Sequence, residues 1–168
     1  MKTMTSAIAN KMLKQLNSDL GYAYQQENLN NTYVLISGEA PIVPEYDIEK
    51  KREEIAAIQD RIVKIKHALN EFNAVTTVPD TGLTIDALLV KMAMLNTEKN
   101  QLAGMRGMAP QRPRQTLRCT SNLPEYNMAN FDPKVAGAIY DKLVKEIADM
   151  QLALDTVNST VSFQVDID

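Results

Sequence analysis

Apolar residues recur at helical spacing in four stretches of this chain, separated by segments that break the pattern. From Thr5 to Asn28, Ile8, Met12, Leu16, Leu20 and Tyr24 return every fourth residue, with Ala9 and Leu13 beside them. That spacing predicts a first helix with one apolar stripe. Gly21 sits near its middle and costs it roughly 1 kcal/mol relative to Ala. Asn30 and Asn31 are placed to end it. Tyr33, Val34, Leu35 and Ile36 then form a β-prone run that closes at Ser37-Gly38, and Pro41 and Pro44 impose an extended linker.

Asp47 is positioned to cap a second helix, with Glu49 in its first turn where the helix dipole favours negative charge. Ile48, Ile55, Ile58, Ile62, Ile65, Leu69 and Phe72 follow an a/d heptad, and Lys51 alone interrupts it. A seam two residues wide per heptad is that of a coiled coil. The helix gives way at Pro79 and Gly82, and Thr84 caps a third, in which Ile85, Leu88, Met92, Leu95 and Leu102 repeat the seam around Lys99. Two seamed helices on so short a connection are expected to close on each other as an antiparallel hairpin.

Gly104, Gly107, Pro110 and Pro113 break the pattern again, and residues 116–120 read as a short strand that pairing with residues 33–36 would satisfy. Asp132-Pro133, an N-cap followed by Pro at the first helical position, opens a fourth helix. Ala136, Tyr140, Leu143, Ile147, Met150, Leu154 and Val157 carry its seam. The tail alternates Val161, Phe163, Val165 and Ile167 with polar residues, a period of two that predicts an extended segment on an apolar surface. The expected fold is therefore mainly α: a coiled-coil hairpin flanked by two further helices, with a minor two-stranded ribbon. All of it is expected to form one helical-bundle domain over residues 1–168.

Composition agrees with helix-on-helix packing. Aromatic residues are only 5% of the chain and Trp is absent, whereas nine Met supply slim, adaptable side chains. A formal charge of −3 gives no overall attraction to nucleic acid or to an acidic membrane. Cys119 is the sole cysteine, so no intrachain disulfide forms, and no apolar run is long enough for a signal core or a membrane span. The expected location is the cytoplasm.

The central stretch resembles a known family. Ile62 to Leu69, then Asn73, Thr76, Gly82-Leu83-Thr84 and Ala87-Leu88, is similar to the septicolysin-like family of bacterial helical proteins. The order of elements, from first helix through a Val- and Pro-containing linker to a closing helix rich in Asp, Gln and Leu, matches as well. This sequence departs from the family pattern at Val90-Lys91-Met92, where Arg-Asp is usual. The family's name implies a cytolysin, which makes a pore-forming or membrane-active protein one alternative. The resemblance supplies no catalytic or cofactor-binding residues.

Candidate chemistry is sparse. A di-iron site in a helical bundle needs Glu-x-x-His on two helices, but the chain has one histidine, His67, and Lys64 stands three residues before it. His67 also falls on the outward face of its heptad. Arg118 beside Cys119 would favour a thiolate, yet no second histidine exists to activate it, and an inert thiol is the plainer reading. No catalytic residue, metal ligand or cofactor is expected.

Two contact regions remain. Arg106, Arg112, Arg114 and Arg118 lie in a stretch without a carboxylate, a pattern that would hold phosphate or pair with acidic helices. No aromatic interleaves to stack on bases, so ion pairing is favoured over nucleic acid, with an anion or nucleic-acid binder as the other alternative. Asn73, Thr76 and Thr77, at the tip of the expected hairpin, serve either as a contact surface or as hydrogen-bond partners of the helix ends. The function expected is that of a non-enzymatic, self-associating helical scaffold. Val90, Met94 and Val144, beside the seams, together with the tail, would provide the homo-oligomer contacts.

Overall fold

The computed structural model describes residues 1–113 and 125–167. The chain is mainly α, with two small antiparallel ribbons. Its elements are β1 (Lys2–Thr5), α1 (Ser6–Asn30), α2 (Ile48–Val75), α3 (Ile85–Arg106), β2 (Gln111–Pro113), β3 (Tyr126–Met128), α4 (Pro133–Thr160) and β4 (Ser162–Val165). They divide into two compact units, Met1–Thr76 with Thr156–Asp168, and Thr77–Asp155.

Helix starts follow the capping residues. Asp47 Oδ1 accepts from the Glu49 and Lys50 amides at 3.0 and 3.1 Å, and Thr84 Oγ1 accepts from Ala87 N at 3.3 Å. Asp132 Oδ1 accepts from Lys134 N at 2.8 Å, with Pro133 opening α4 where no amide is needed. Thr5 ends β1 and caps α1 through the Ile8 amide. Gly104 does not stop α3, which continues to Arg106 and ends at Gly107. One glycine costs a helix less than its packed face contributes.

In the first unit, α1 packs on α2, and β1 pairs with β4 in the register Lys2↔Val165 to Thr5↔Ser162. The core joins Met4, Ala9, Leu13, Leu16, Ile62, Ile65, Val165 and Ile167. Phe72 stacks on Phe163 with ring centroids 4.8 Å apart. Within this unit, Ile62 and Ile65 of the α2 seam pack with α1 and the terminal ribbon. Heptad periodicity says which face is apolar, not which element covers it.

The stripe of α1 also differs from the expected one. Its buried positions are Ala9, Leu13, Leu16, Ala23 and Glu27, with Leu20 partly covered, whereas Ile8 is 49% exposed. A strict period of four drifts about 40° per turn on a helix of 3.6 residues, so it leaves any one face within a few turns. Alternating steps of four and three stay on it.

In the second unit, Leu102 of α3 packs with Ala136 and Leu143 of α4, flanked by Leu95, Met105, Phe131 and Tyr140. Lys91 reaches Glu146 at 3.0 Å. β2 pairs with β3, Arg112 opposite Asn127. Preceding α3, a tight turn sets Thr77 opposite Thr84. Within it, Val78 N donates to Leu83 O at 2.8 Å, and Gly82 takes the left-handed φ of +67° that favours glycine.

Of the ribbon expected between residues 33–36 and 116–120, the second strand lies outside the described residues; residues 33–36 are exposed and pair with no strand among the described residues. The tail is extended as its period of two implies. It buries Val165 and Ile167 in its own chain, while Val161 stays 39% exposed.

Two substitutions test this packing. Ile62→Asp, which puts a carboxylate in the first unit's core, should cost about 3–5 kcal/mol in denaturant unfolding, while His67→Asp at an exposed site should change little. Equal losses would show the face assignment to be wrong. Gly21 lies in α1 with open space where a Cβ would stand, so Gly21→Ala should stabilise by up to about 1 kcal/mol.

Candidate functional site

A connected polar cluster lies where the linker rejoins the helices of the first unit. Glu27 occupies a buried position of the α1 stripe, a place where the four-three spacing would put an apolar residue. A carboxylate there needs partners. It ion-pairs with Arg52 of α2, and the Tyr46 hydroxyl donates to Glu27 Oε1 at 3.0 Å. One turn before Glu27, Tyr24 Oη accepts from Gln59 Nε2 of α2 at 3.0 Å. An open cavity of about 320 Å³ beside the cluster is lined by Gln26, Asn30, Glu45, Tyr46, Lys50 and Lys51, among others.

The electrostatics follow from these contacts. The Arg52 hydrogen bond, then that of Tyr46, holds the Glu27 carboxyl below its usual value against the opposing effect of burial, and Lys51 adds to the lowering. Burial, then the neighbouring Glu27, pushes the Tyr46 phenol up. Hydrogen bonding to Glu27 raises Arg52 further. Such a cluster holds a charged pair together and pins the end of the linker.

A second cavity, about 730 Å³ and open, lies within the second unit. Leu83 and Met150 contribute to its lining, as do Lys91, Lys142 and Lys145 and the carboxylates Asp80, Glu146 and Asp149. Three cations against three anions leave no net attraction for a charged ligand.

The residues singled out in the sequence are not assembled into one site. Arg106 lies over the Tyr140 ring, its guanidinium carbon 3.8 Å from the centroid, a cation–π contact within the second unit. Arg112 stands exposed on β2, and Arg114 and Arg118 lie outside the described residues, as does Cys119. Asn73 is half-buried in the last turn of α2, and its side-chain oxygen accepts no hydrogen bond among the described residues. Thr76 caps that helix, its amide donating to Phe72 O at 2.9 Å, and Thr77 faces Thr84. His67 is exposed, 3.5 Å from Glu71. Among the described residues no three His, Cys, Asp or Glu side chains are grouped so as to hold a metal ion, and no helix is long and apolar enough to cross a membrane. The Glu27 cluster went unseen in the sequence, although the four-three spacing of 9, 13, 16, 20 and 23 points directly to 27.

No protein-family model and no curated protein matches the chain. In fold it is similar to a solved structure from Corynebacterium diphtheriae, a functionally unknown conserved protein. The TM-score is 0.67 and the identity 16%, over 97% of this chain and 100% of that one. At that identity the likeness speaks for the fold alone.

The Glu27 cluster predicts an acid-sensitive stability. The folded pKa lies below the usual 4.5, so the unfolded chain binds the proton more tightly. The contribution is complete above about pH 4.5 and is lost as pH falls through the folded value. Glu27→Gln should lower the unfolding midpoint at pH 7 and flatten its dependence below pH 4.5. An unchanged pH profile would show that Glu27 does not carry the effect.

Proposed function

We propose that this protein is a self-associating helical scaffold whose role is to bind rather than to catalyse, working in the cytoplasm. The observation that carries this reading is the exposed apolar face of α3, where Leu89, Val90 and Met94 stand 44%, 57% and 69% exposed. Val90 and Met94 are one turn apart and so neighbours on the helix surface. Val144, named with them from the sequence, is 41% exposed on α4. Single exposed apolar residues are ordinary; grouped ones mark contact surfaces. For a chain meeting copies of itself, closed symmetric assembly is the common outcome.

Other readings draw less support. A pore-forming role rests on the family resemblance alone, and none of the described helices is of membrane-spanning type. Anion or nucleic-acid binding through the arginines loses Arg106 to Tyr140.

Light scattering at micromolar concentration tests the proposal. The expected mass is a small multiple of 18.8 kDa, and the single-chain mass would defeat it. Met94→Lys should weaken association while leaving the far-ultraviolet circular dichroism unchanged.

A further inference from the structure

The charges lining the open cavity of the second unit sum to zero, but they are not mixed. α3 and α4 run antiparallel beside it: Leu102 packs with Ala136 and Leu143, whereas Lys91, earlier in α3, reaches Glu146, later in α4. The turn that precedes α3 therefore lies level with the last part of the α4 lining. Lys142 and Lys145 stand at one end of the cavity. Asp149, Met150 and Ala153 stand towards the other, with Asp80 and Leu83 of the turn. Between the two ends, Lys91 and Glu146 neutralise each other at 3.0 Å.

The remaining charges are uncommitted. Among the described residues Lys142, Lys145, Asp80 and Asp149 have no ion-pair partner. The floor beside the aspartates is apolar, with Met150 buried and Leu83 and Ala153 half-buried. Asp80 also takes a φ of +63°. It is the third residue of a turn in which Thr81 N donates to Val78 O at 3.4 Å, with Pro79 second. A positive φ at that position ordinarily calls for glycine or asparagine. The turn instead sets a carboxylate at the cavity, and backbone strain held at such a place points to use.

We propose that this cavity binds a short peptide with both termini free. Its ammonium lies at Asp80 and Asp149, its carboxylate at Lys142 and Lys145, and its apolar side chains rest on Leu83, Met150 and Ala153. The length fits about four residues: α4 rises about 16 Å from Lys142 to Ala153, and four extended residues span about 13 Å. The cavity volume of about 730 Å³ is of the size that holds a ligand of this kind. A ligand of one sign fits less well, because a fatty acid leaves the aspartates unanswered and a polyamine leaves the lysines so. Leu89, Val90 and Met94 do not line the cavity, so the inference does not require self-association.

Calorimetric titration of the full-length protein with alanyl-leucyl-leucyl-alanine tests this, beside the same peptide acetylated at its N-terminus or amidated at its C-terminus. The free peptide should bind with a Kd below about 1 mM. Blocking either end should weaken binding about fivefold, the scale of one exposed ion pair. Asp80→Asn with Asp149→Asn keeps a residue suited to positive φ; it should abolish the penalty for acetylation and leave that for amidation. Lys142→Gln with Lys145→Gln should do the reverse. All four positions are exposed, so the circular dichroism of both variants should match that of the unaltered protein. No binding of the free peptide at about 5 mM would overturn the proposal, as would binding indifferent to both blocks. Penalties that the two variants abolish without regard to end would overturn the assigned polarity. Octanoate bound as tightly as the peptide, and displaced by it, would show a site for apolar anions instead.

Discussion

The first unit depends on the antiparallel pairing of residues 2–5 with residues 162–165, because it brings both ends of the chain into one core. Met4 and Val165 are each only 2% exposed, and they enter the same cluster as Leu13, Leu16 and Ile65. A two-stranded ribbon is marginal in water on its own. Here each strand lays an apolar face on the α1–α2 pair, so ribbon and helices stabilise one another. Ile65, fully buried, contributes about 2–3 kcal/mol through that burial, and it does so only while both termini are in place. The contacts are far apart in sequence, which makes this unit expensive in loop closure. The second unit, 77–155, is continuous in sequence and avoids that cost.

The same unit has to accommodate a linker of seventeen residues, 31–47, between α1 and α2, a length at which loops without regular structure are uncommon. Its two ends are secured in different ways. At the start, Asn31 caps α1 and Asn30 Nδ2 donates to Gln26 O at 2.8 Å. At the far end, Tyr46 is held by Glu27, and Asp47 caps α2. Among the described residues the middle is held by its own turn, Glu39 N donating to Ile36 O. A buried carboxylate is an uneconomical way to stabilise a core, since desolvation opposes the ion pair. What Glu27 supplies is direction: with Arg52 and Tyr46 it specifies where the linker returns.

Much of this was legible in the sequence, and the division between what was and was not follows the range of the interactions. Asp47, Thr84 and Asp132-Pro133 could be read as helix starts because a cap bonds to amides two or three residues away. The alternation of Val161 to Ile167 gave an extended tail for the same local reason. Partners were not legible. The α2 seam is apolar whichever element covers it, and at Ile62 and Ile65 the terminal ribbon joins the cover through residues 2–5, where Met4 is the single large apolar side chain. Lys-Thr-Met-Thr shows weaker strand character than Tyr-Val-Leu-Ile, yet among the described residues the first is paired and the second is not. Strand propensity measures fit to a packed surface, and only the former has one. Of the candidate contacts, Arg106 was visible as a charge but not as a partner of Tyr140, which lies 34 positions further along.

That contrast between the two β-prone ends of α1 bears on why the linker keeps an open edge. Apolar strands exposed in solvent invite indiscriminate pairing, and proteins blunt them with charge, proline or bulges. The returning arm is blunted in this way, with Pro41, Pro44, Glu39 and Glu45 around Ile42 and Val43. The 33–36 arm is not: it has no charge, no proline and four consecutive large apolar residues. If exposure there were incidental, the cheapest remedy would be one lysine, and helix surfaces in the same chain show that lysine is freely used, with Lys50, Lys51, Lys64 and Lys66 on α2 alone. The protections therefore stand around the returning arm, and residues 33–36 carry none of them.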